Sequence, residues 1–342
     1  MLHGHGDDGY RHAHELVADF STNVWYGGEP AGLKEYVFSQ WPRINRYPEV
    51  LAESLGARVA AHHGVRPAQV LMSSGTTESI YLVAQAWAGR RTTILTPAFA
   101  EYEDACRLHS HMLRFLPWGD LEADTIVDSD LVFICNPNNP TGSVLTAATV
   151  ASLLADNPRA VFVLDEAFIE FTTSIDTLLP LLAHFDNLLI LRSLTKAYAI
   201  PGLRLGYVVA SEALIARLTA AKAPWTVGAL AAAAGHFIFE NFIAVQPPVG
   251  PLLADRAAFA AQVAQVPGLT VTPSHTHYFV AQVPRGTAAD LKRWLLAQHG
   301  LLIRDASNFR DLTPAHFRVS TQRPAHNQLL LNALREWTAL PA

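Results

Sequence analysis

The chain has 342 residues, of which half are hydrophobic and 16% are charged. A chain of this length is expected to form about two folding units around a large buried core. The formal net charge of -5 argues against a nucleic-acid or anionic-membrane partner.

The N-terminal residues, MLHGHGDDGYRHAHE, contain no basic segment followed by an apolar stretch, so they do not resemble a secretory signal. No apolar run approaches the roughly 20 residues of a membrane helix, and the Ala-rich stretch 228–235 is far too short. Cys106 and Cys135 form no metal-binding or redox spacing. We therefore expect a cytoplasmic protein in a reducing compartment, without a membrane partner.

The first 45 residues show weak periodicity and are predicted to form an extended arm with a short helix. From about residue 50, segments with helical periodicity alternate with compact apolar runs that suit buried strands. The predicted helices are ESLGARVAAHHG, TESIYLVAQAWAG and EYEDACRLH, and the predicted strands are QVLMSS, TTILTP, DLVFICNP, AVFVLDEA, NLLILRSL and LGYVVAS. This alternation predicts an α/β domain over residues 46–245, with a mostly parallel sheet flanked by helices.

The pattern changes after about residue 240. A rigid Pro/Gly segment, residues 246–251, is predicted to cross between two domains. Beyond it, the predicted elements are the helices PLLADRAAFAAQV, AADLKRWLLAQHG and AHNQLLLNALREW and the strands HYFVAQV, LLIRD and HFRVSTQ. Residues 246–342 are thus predicted to form a smaller α+β domain, which the arm of residues 1–45 joins.

Four polar segments follow predicted strands, at the edge where open α/β sheets bind ligands. They are SSGTTE (73–78), NPNNPTG (136–142), DEAF (165–168) and SLTK (193–196), and Arg204 follows the last of them. The first segment begins a helix, whose N-terminal N–H groups suit an anion. Each segment alone could be a turn or a helix cap, but the four together in this order indicate one ligand site.

The pair NPNNPTG and SLTKAYAIPGLRLGY is highly specific. On these motifs the chain resembles the class I and II aminotransferases, and within them the group of histidinol-phosphate aminotransferases and threonine-phosphate decarboxylases. The resemblance extends from Asn23 to Arg318. It implies fold type I of the enzymes that use pyridoxal 5′-phosphate (PLP), PLP as the cofactor, and a homodimer with a shared active site.

The resemblance also implies a role for each matching residue. Lys196 would carry PLP as a Schiff base and shuttle the proton at the substrate Cα. Asp165 would pair with the protonated ring nitrogen, and Asn139 would donate to the phenolic oxygen. The residues implied around the phosphate are Ser74, Gly75, Thr76, Thr77, Ser193, Thr195 and Arg204, of which the arginine suits a bidentate contact best.

Two aromatic positions extend this correspondence. Phe99 matches the residue that stacks on the cofactor, with Tyr102 as the alternative. Tyr47, in NRYPE, matches a tyrosine that reaches the PLP phosphate of the neighbouring subunit. A core phenylalanine and a turn tyrosine packed on Pro48 are the plain alternatives.

The substrate-binding residues are implied in the same way. Arg318 matches the arginine that binds the α-carboxylate, and Arg304 resembles the one that holds a substrate phosphate in this group. Arg323 is a further candidate nearby, and Arg304 could instead pair with Asp305. Asn23 matches a segment that lines the substrate pocket.

One departure concerns the reaction. Many aminotransferases have tyrosine where Phe168 stands, and its loss removes a hydrogen bond to the cofactor, a difference of about 1 kcal/mol. Phe168 and the HGHGDD opening favour the decarboxylases, but the leading prediction is transamination between a small, phosphorylated amino acid or amine and a 2-oxo acid. Decarboxylation of a phospho-amino acid is the alternative. Another PLP lyase reaction and a non-catalytic scaffold are the remaining readings, and Lys196 argues against the scaffold.

Several weaker signals carry no prediction. Residues 4–9 fit GxGxxG without a preceding strand, and SLTK fits the SxxK of penicillin-binding enzymes without its partner motifs. The histidine pairs show no converging ligand set, so no metal is expected; they are His3/His5, His12/His14, His109/His111 and His275/His277. His3 or His5 could lie near a substrate phosphate.

Overall fold

A computed structural model describes residues 9–11 and 16–340. Its α-helices are α1 (Leu33–Ser39), α2 (Glu53–His63), α3 (Gly75–Ala86), α4 (Glu101–Leu108), α5 (Ala147–Asp156), α6 (Glu212–Ala221), α7 (Ala229–Glu240), α8 (Val249–Ala264), α9 (Ala288–His299) and α10 (Pro324–Ala339). Its strands are β1 (Ala18–Asp19), β2 (Val70–Ser73), β3 (Arg91–Thr96), β4 (Met112–Pro117), β5 (Leu131–Cys135), β6 (Val161–Asp165), β7 (Leu188–Ser193), β8 (Gly206–Ala210), β9 (Thr270–Val271), β10 (Tyr278–Gln282), β11 (Leu301–Leu302), β12 (Arg304–Asp305) and β13 (His316–Ser320).

The described part of the chain contains a seven-stranded sheet in the order β2-β8-β7-β6-β5-β3-β4. Strand β8 is antiparallel to both neighbours, and the other pairs are parallel. Successive residues of a strand face opposite sides, so Phe162 and Leu164 of β6 enter one core and Val163 enters the other. Both faces are covered, which explains why these strands are continuous apolar runs and confirms the predicted α/β fold.

A second, antiparallel sheet has the order β12-β13-β10-β9. Its separate core contains Phe279 and Phe317 from the strands and Leu330 from α10. Phe20 of the N-terminal arm belongs to the same core, and β1 pairs with β11 in parallel, Ala18 opposite Leu301. The arm therefore packs on the C-terminal part of the chain; the domain limits at residues 46 and 246 remain predictions.

Two local predictions need correction. The LLIRD segment is not one strand: Leu301 and Leu302 pair with the arm, whereas Arg304 and Asp305 pair with β13. The segment 246–251 is not all rigid coil, because α8 begins at Val249. Pro251 then lies in the first helical turn, where its missing N–H would have no intrahelical partner. Among the described residues, no helix is both long and apolar enough to cross a membrane.

Candidate active site

A cavity of about 210 Å³ lies where β5, β6 and β7 end, and the small sheet contributes part of its wall. The carboxyl ends of parallel strands meet at one edge, so residues far apart in sequence converge there. The lining residues are Ser21, Thr22, Asn23, Thr76, Thr77, Phe99, Ala100, Tyr102, Cys135, Asn139, Asp165, Ala167, Phe168, Ser193, Thr195, Lys196, Arg204, Arg304, Phe309 and Arg318.

A buried carboxylate lies at the end of β6. Asp165 is 3% exposed, and its Oδ2 accepts a 2.8 Å hydrogen bond from the Tyr102 hydroxyl. The backbone N–H of Ala167 donates to Oδ1 at 3.0 Å. Burial raises the pKa of Asp165 to about 6, against the two hydrogen bonds that lower it. Such a carboxylate is suited to a cationic ligand group.

Tyr102, the alternative stacking residue, lines the cavity with its hydroxyl on Asp165. It is fully buried, and its ring stacks on Phe133 at a centroid distance of 5.1 Å. Phe99 is half-buried, lines the cavity and meets Tyr102 edge to face at 5.9 Å. Phe99 is therefore the better placed of the two for a ligand ring.

Lys196 lies in the turn after β7. It is half-buried and lines the cavity, and its backbone carbonyl accepts a 3.0 Å hydrogen bond from Trp25 N–H. The turn is closed by Thr195, whose N–H donates to the Ser193 hydroxyl at 3.2 Å and whose carbonyl accepts from Ile200 N–H at 3.2 Å. The lysine is thus held on a fixed turn near Asp165 rather than on a surface helix.

The start of α3 and Arg204 lie together at one end of the cavity. Gly75 has a φ of +75°, and a Cβ there would lie 2.4 Å from Nη2 of Arg204. The positive φ favours glycine here, and a larger residue would displace the guanidinium of Arg204. Arg204 itself is exposed and has a φ of 56°, a left-handed conformation that is strained for a side-chain-bearing residue. Thr76 and Thr77 line the cavity, and Ser74 immediately precedes this helix.

Asn139, in the NPNNPTG turn, contacts the small sheet. Its Oδ1 accepts a hydrogen bond from Nη1 of Arg318, and Nη2 of Arg318 donates to the Ser21 carbonyl at 2.6 Å. Nε of Arg318 has no hydrogen-bond partner among the described residues. This guanidinium is 5% exposed, and its pKa is lowered to about 9 by burial and by Arg304. A buried cation with only neutral acceptors is suited to an anionic ligand.

Arg304 and Arg318 are directly opposite each other on β12 and β13. Directly opposed residues of an antiparallel pair project from the same face of the sheet. Arg304 donates from Nη2 to Oδ1 of Asn308 at 2.8 Å, and its guanidinium lies 5.3 Å from the centre of the Phe309 ring. Both arginines line the cavity, so two positive charges face one ligand.

Asn23 lines the same cavity from the arm. It is 3% exposed, and its Oδ1 has no hydrogen-bond partner among the described residues. Its carbonyl is 3.1 Å from Nε2 of the buried His277. Burial lowers the pKa of His277 to about 3, so the imidazole is neutral at physiological pH. The side chain of Asn23 therefore offers an unused polar group to a ligand.

Some predicted residues lie apart. Tyr47 is outside the cavity and 85% exposed, with its ring 5.1 Å from that of Trp225. Arg323 is exposed before α10 and does not line the cavity. The histidines at positions 3, 5, 12 and 14 lie outside the described residues. Within residues 9–11 and 16–340, no cluster of three or more His, Cys, Asp or Glu could hold a metal ion.

Sequence reasoning assigned no role to six lining residues. Ser21 and Thr22 directly precede Asn23, Ala100 follows Phe99, Cys135 precedes NPNNPTG and Ala167 lies within DEAF, so their neighbours were a usable signal. Phe309 carried no such signal, because it belongs to a loop without periodicity or a motif.

The fold and the cavity define a class of protein: an α/β protein whose cavity, at the carboxyl edge of its sheet, is lined by a lysine, a buried carboxylate and the start of a helix. A family model described as aminotransferase class I and II matches residues 22–334. The chain belongs to this family, which confirms the resemblance, and its cofactor is pyridoxal 5′-phosphate. Transfer of an amino group between an amino donor and a 2-oxo acid is the reaction after which the family is named.

Individual relatives are of two kinds. The chain is 37% identical over 335 residues to threonine-phosphate decarboxylase of Salmonella typhimurium (94% of this chain, 91% of that one). It is 29% identical over 320 residues to histidinol-phosphate aminotransferase of Chlorobaculum tepidum (90% of each). The crystal structure of L-threonine-O-3-phosphate decarboxylase from Porphyromonas gingivalis superposes with a TM-score of 0.92 at 37% identity, covering 95% of this chain and 100% of that one.

The cavity residues fit PLP. Asp165 is a buried carboxylate whose two hydrogen bonds come from neutral donors, which leaves room for the cationic ring nitrogen. The close approach of Arg204 to the start of α3 provides a positive, N–H-rich end for the phosphate dianion. Lys196 supplies the amine that the cofactor's aldehyde requires.

Proposed function

We propose that this protein is a PLP-dependent decarboxylase of a phosphorylated amino acid, with O-phospho-L-threonine as the preferred substrate. The products would be CO₂ and 1-aminopropan-2-yl phosphate. The observation that carries the proposal is the pair Arg304 and Arg318, opposed on neighbouring strands and facing one cavity.

Two guanidinium groups on one face suit a phosphate dianion better than a single carboxylate. Each can donate two parallel hydrogen bonds to phosphate oxygens, and together they balance its double charge. The hydrogen bonds of the buried Arg318 go to the neutral oxygens of Asn139 and Ser21, and the Asp19 carboxylate acts on it electrostatically; a ligand anion would further reduce the cost of burying this charge.

If both arginines bind the substrate phosphate, neither of them is left to pair with the substrate carboxylate. A carboxylate paired with arginine is stabilised in the ground state, which opposes loss of CO₂. An unpaired carboxylate can stand perpendicular to the cofactor ring, the orientation that decarboxylation requires. The 37% identity to two decarboxylases over almost the whole chain supports the same reaction, as does Phe168, which lacks the hydroxyl of many aminotransferases.

When bound, PLP supplies a conjugated, protonated ring that accepts the electron pair released at the substrate Cα. Asp165 would hold the ring nitrogen in its protonated form, and Asn139 would donate to the phenolic oxygen. Phe99 would pack on the ring face. The phosphate would be held by residues at the strand ends and the start of α3, namely Ser74, Gly75, Thr76, Thr77, Ser193, Thr195 and Arg204.

Lys196 has two tasks in this proposal. Its Nζ would anchor the cofactor until the substrate amine displaces it, and the released amine would then deliver a proton to Cα in place of the lost CO₂. The side chains of Phe309 and Phe168 line the cavity and would keep water from the reacting carbon. Asn23 would contact the substrate through its unpaired side-chain oxygen.

Transamination is the second candidate, and Arg318 is the observation that favours it. If Arg318 alone binds the α-carboxylate, as the sequence resemblance implies, the carboxylate is retained and Lys196 moves the Cα proton instead. The 29% identity to a histidinol-phosphate aminotransferase supports this alternative.

We further propose that the enzyme is a homodimer in which Tyr47 reaches the phosphate of the partner's cofactor. Six large apolar side chains from residues 38–50 and position 225 are exposed, namely Phe38, Trp41, Ile44, Tyr47, Val50 and Trp225. Phe38 stacks on Trp41, and Tyr47 packs on Trp225, so these side chains form patches rather than isolated contacts. Exposed apolar patches of this kind are typical of protein interfaces.

Phosphorus NMR tests the reaction directly. Enzyme at catalytic concentration would be incubated with O-phospho-L-threonine, and the conversion of its resonance to that of 1-aminopropan-2-yl phosphate would be followed. Many turnovers without a 2-oxo acid support decarboxylation, whereas turnover only after a 2-oxo acid is added supports transamination.

A further inference from the structure

Helix α4 carries two neighbouring side chains that reach different parts of the molecule. Tyr102 contacts Asp165 under the cavity, and Glu103 faces the loop between β12 and β13. There Nη2 of Arg310 lies 2.9 Å from Oε1 and 3.0 Å from Oε2 of Glu103, and Nε lies 3.3 Å from Oε2. We call this contact the Glu103–Arg310 bridge; it joins residues 207 positions apart in sequence.

Two further contacts hold the same loop. The Arg310 guanidinium lies 3.7 Å from the centre of the Phe115 ring on β4, within the range of a cation–π interaction. The Thr96 hydroxyl, at the end of β3, donates to the carboxylate of Asp311. Asp311 has a φ of 66°, an unfavourable conformation that such surrounding contacts must maintain. Helix α4 and the strands β3 and β4 of the large sheet thus fix residues 310 and 311.

The residues just before the bridge face the active-site cavity. Phe309 is 5% exposed and lines the cavity, and Asn308 accepts a hydrogen bond from Arg304 at 2.8 Å. The same loop that Glu103 holds therefore also holds Arg304 and the apolar wall beside it.

We infer that Glu103 and Arg310 are positioning residues that set Arg304 and Phe309 for the anionic group of the substrate. The inference rests on the proposed function in one respect, namely that Arg304 binds the substrate phosphate. The bridge controls substrate affinity and leaves attachment of the cofactor to Lys196 unaffected. A displacement of about 1 Å in a binding group is enough to weaken its contacts strongly.

The test is a double-mutant cycle of Glu103→Gln and Arg310→Met on the PLP-loaded enzyme. Each single change is expected to raise KM for O-phospho-L-threonine about tenfold with a much smaller change in kcat, and the double variant should be no worse than either single one. Arg310→Lys, which keeps the charge, should recover part of the affinity. PLP content after borohydride reduction should equal that of the wild type.

Arg107→Met is the matched control. Arg107 pairs with the same Glu103 carboxylate at 2.6 Å, but from the next turn of α4, so its loss removes an ion pair without releasing the loop. Its KM should remain within about twofold of the wild type. The inference would be overturned if the effects of Glu103→Gln and Arg310→Met on KM simply added in the double variant. It would also be overturned if Arg107→Met raised KM as much as Arg310→Met does.

Amide hydrogen exchange separates this inference from the choice of substrate. Exchange at residues 306–312 should accelerate in Glu103→Gln and Arg310→Met and stay at the wild-type rate in Arg107→Met. If O-phospho-L-threonine is not turned over, the proposed function fails while this result still supports the bridge. Unchanged exchange in all three variants would exclude a positioning role whatever the substrate is.

Discussion

The hydroxyl of Tyr102 donates a 2.8 Å hydrogen bond to the Asp165 carboxylate, and both groups are buried at the end of β6. The contact fixes the orientation of the carboxylate and lowers its pKa against the larger effect of burial. It connects α4, which begins two residues after Phe99, to the residue that we assign to the cofactor's ring nitrogen.

Replacing Tyr102 with phenylalanine removes this hydrogen bond and the contact of the same hydroxyl with the Cys135 thiol, and it keeps the ring. We expect PLP to bind about five- to tenfold more weakly, since a buried hydrogen bond is worth roughly 1 kcal/mol. Fluorescence titration of the apo-enzyme measures this. Tyr207→Phe is the control, because that hydroxyl is 2.7 Å from Nε2 of His63, outside the cavity. If Tyr102→Phe and Tyr207→Phe lost the same PLP affinity, the cause would be a general effect on packing and not the hydrogen bond to Asp165.

Cofactor affinity should depend on pH through Asp165. Burial raises the pKa of Asp165 in the cofactor-free protein from 3.8 to about 6, and only the carboxylate form pairs with a cationic ring nitrogen. Affinity should therefore be full above this pKa and decline as the pH falls through 6. The Asp165→Asn variant should bind PLP weakly, and its affinity should depend less on pH. If the affinities of the two proteins changed with pH in the same way, the assignment of Asp165 would be contradicted.

The stability of the cofactor-free protein should change in the opposite direction. Because the folded-state pKa lies above the unfolded value of 3.8, the folded state binds the proton more tightly in this range. The stabilising contribution of Asp165 is thus present below 3.8 and is lost as the pH rises through about 6. Denaturant unfolding of the wild type and Asp165→Asn, compared across this range, measures the difference.

Arg304 and Arg318 can be assigned with a ligand that lacks the carboxylate. If both arginines hold the phosphate, Arg304→Met and Arg318→Met should each weaken the binding of 1-aminopropan-2-yl phosphate and of O-phospho-L-threonine to the same extent. Loss of one partner of a buried charge pair costs about 2–5 kcal/mol, so the effects should reach thirtyfold or more. Calorimetric titration measures the affinity for 1-aminopropan-2-yl phosphate, and KM reports the effect on O-phospho-L-threonine, which the enzyme turns over. If Arg318→Met weakened the binding of O-phospho-L-threonine but not of 1-aminopropan-2-yl phosphate, Arg318 would be the partner of the substrate carboxylate, which would favour transamination.

The shared active site predicts complementation between inactive subunits. Tyr47→Phe and Lys196→Ala homodimers should each have low activity, and mixing them with subunit exchange should restore part of it. In each hybrid, one site would combine an intact Lys196 with an intact Tyr47. Exchange can be confirmed with differently tagged chains. Confirmed exchange without recovered activity would contradict a contribution of Tyr47 across the interface.

Much of this architecture could be predicted because the signals are local. Asp165 and Lys196 follow apolar runs that fill both cores, so their place at the sheet edge follows from strand pattern and chain order. Nothing local indicated that the Tyr102 hydroxyl would contact Asp165. The sequence could not predict the Glu103–Arg310 bridge either, because its partners lie far apart and only the folded chain brings them together.

The split of LLIRD has a similar origin. Its residues all suit a strand, but the arm competes for Leu301 and Leu302, whereas β13 pairs with Arg304 and Asp305. Tertiary pairing, not local propensity, decides where such a run divides.

The most direct test of the central claim is the release of CO₂ from O-phospho-L-threonine labelled at its carboxyl carbon, in the absence of any 2-oxo acid. We predict catalytic release of labelled CO₂ by the wild type and none by Lys196→Ala, with Lys34→Ala, a change on the exposed face of α1, behaving as the wild type. Retention of the label in a keto product, formed once per active site, would contradict decarboxylation and identify the enzyme as an aminotransferase.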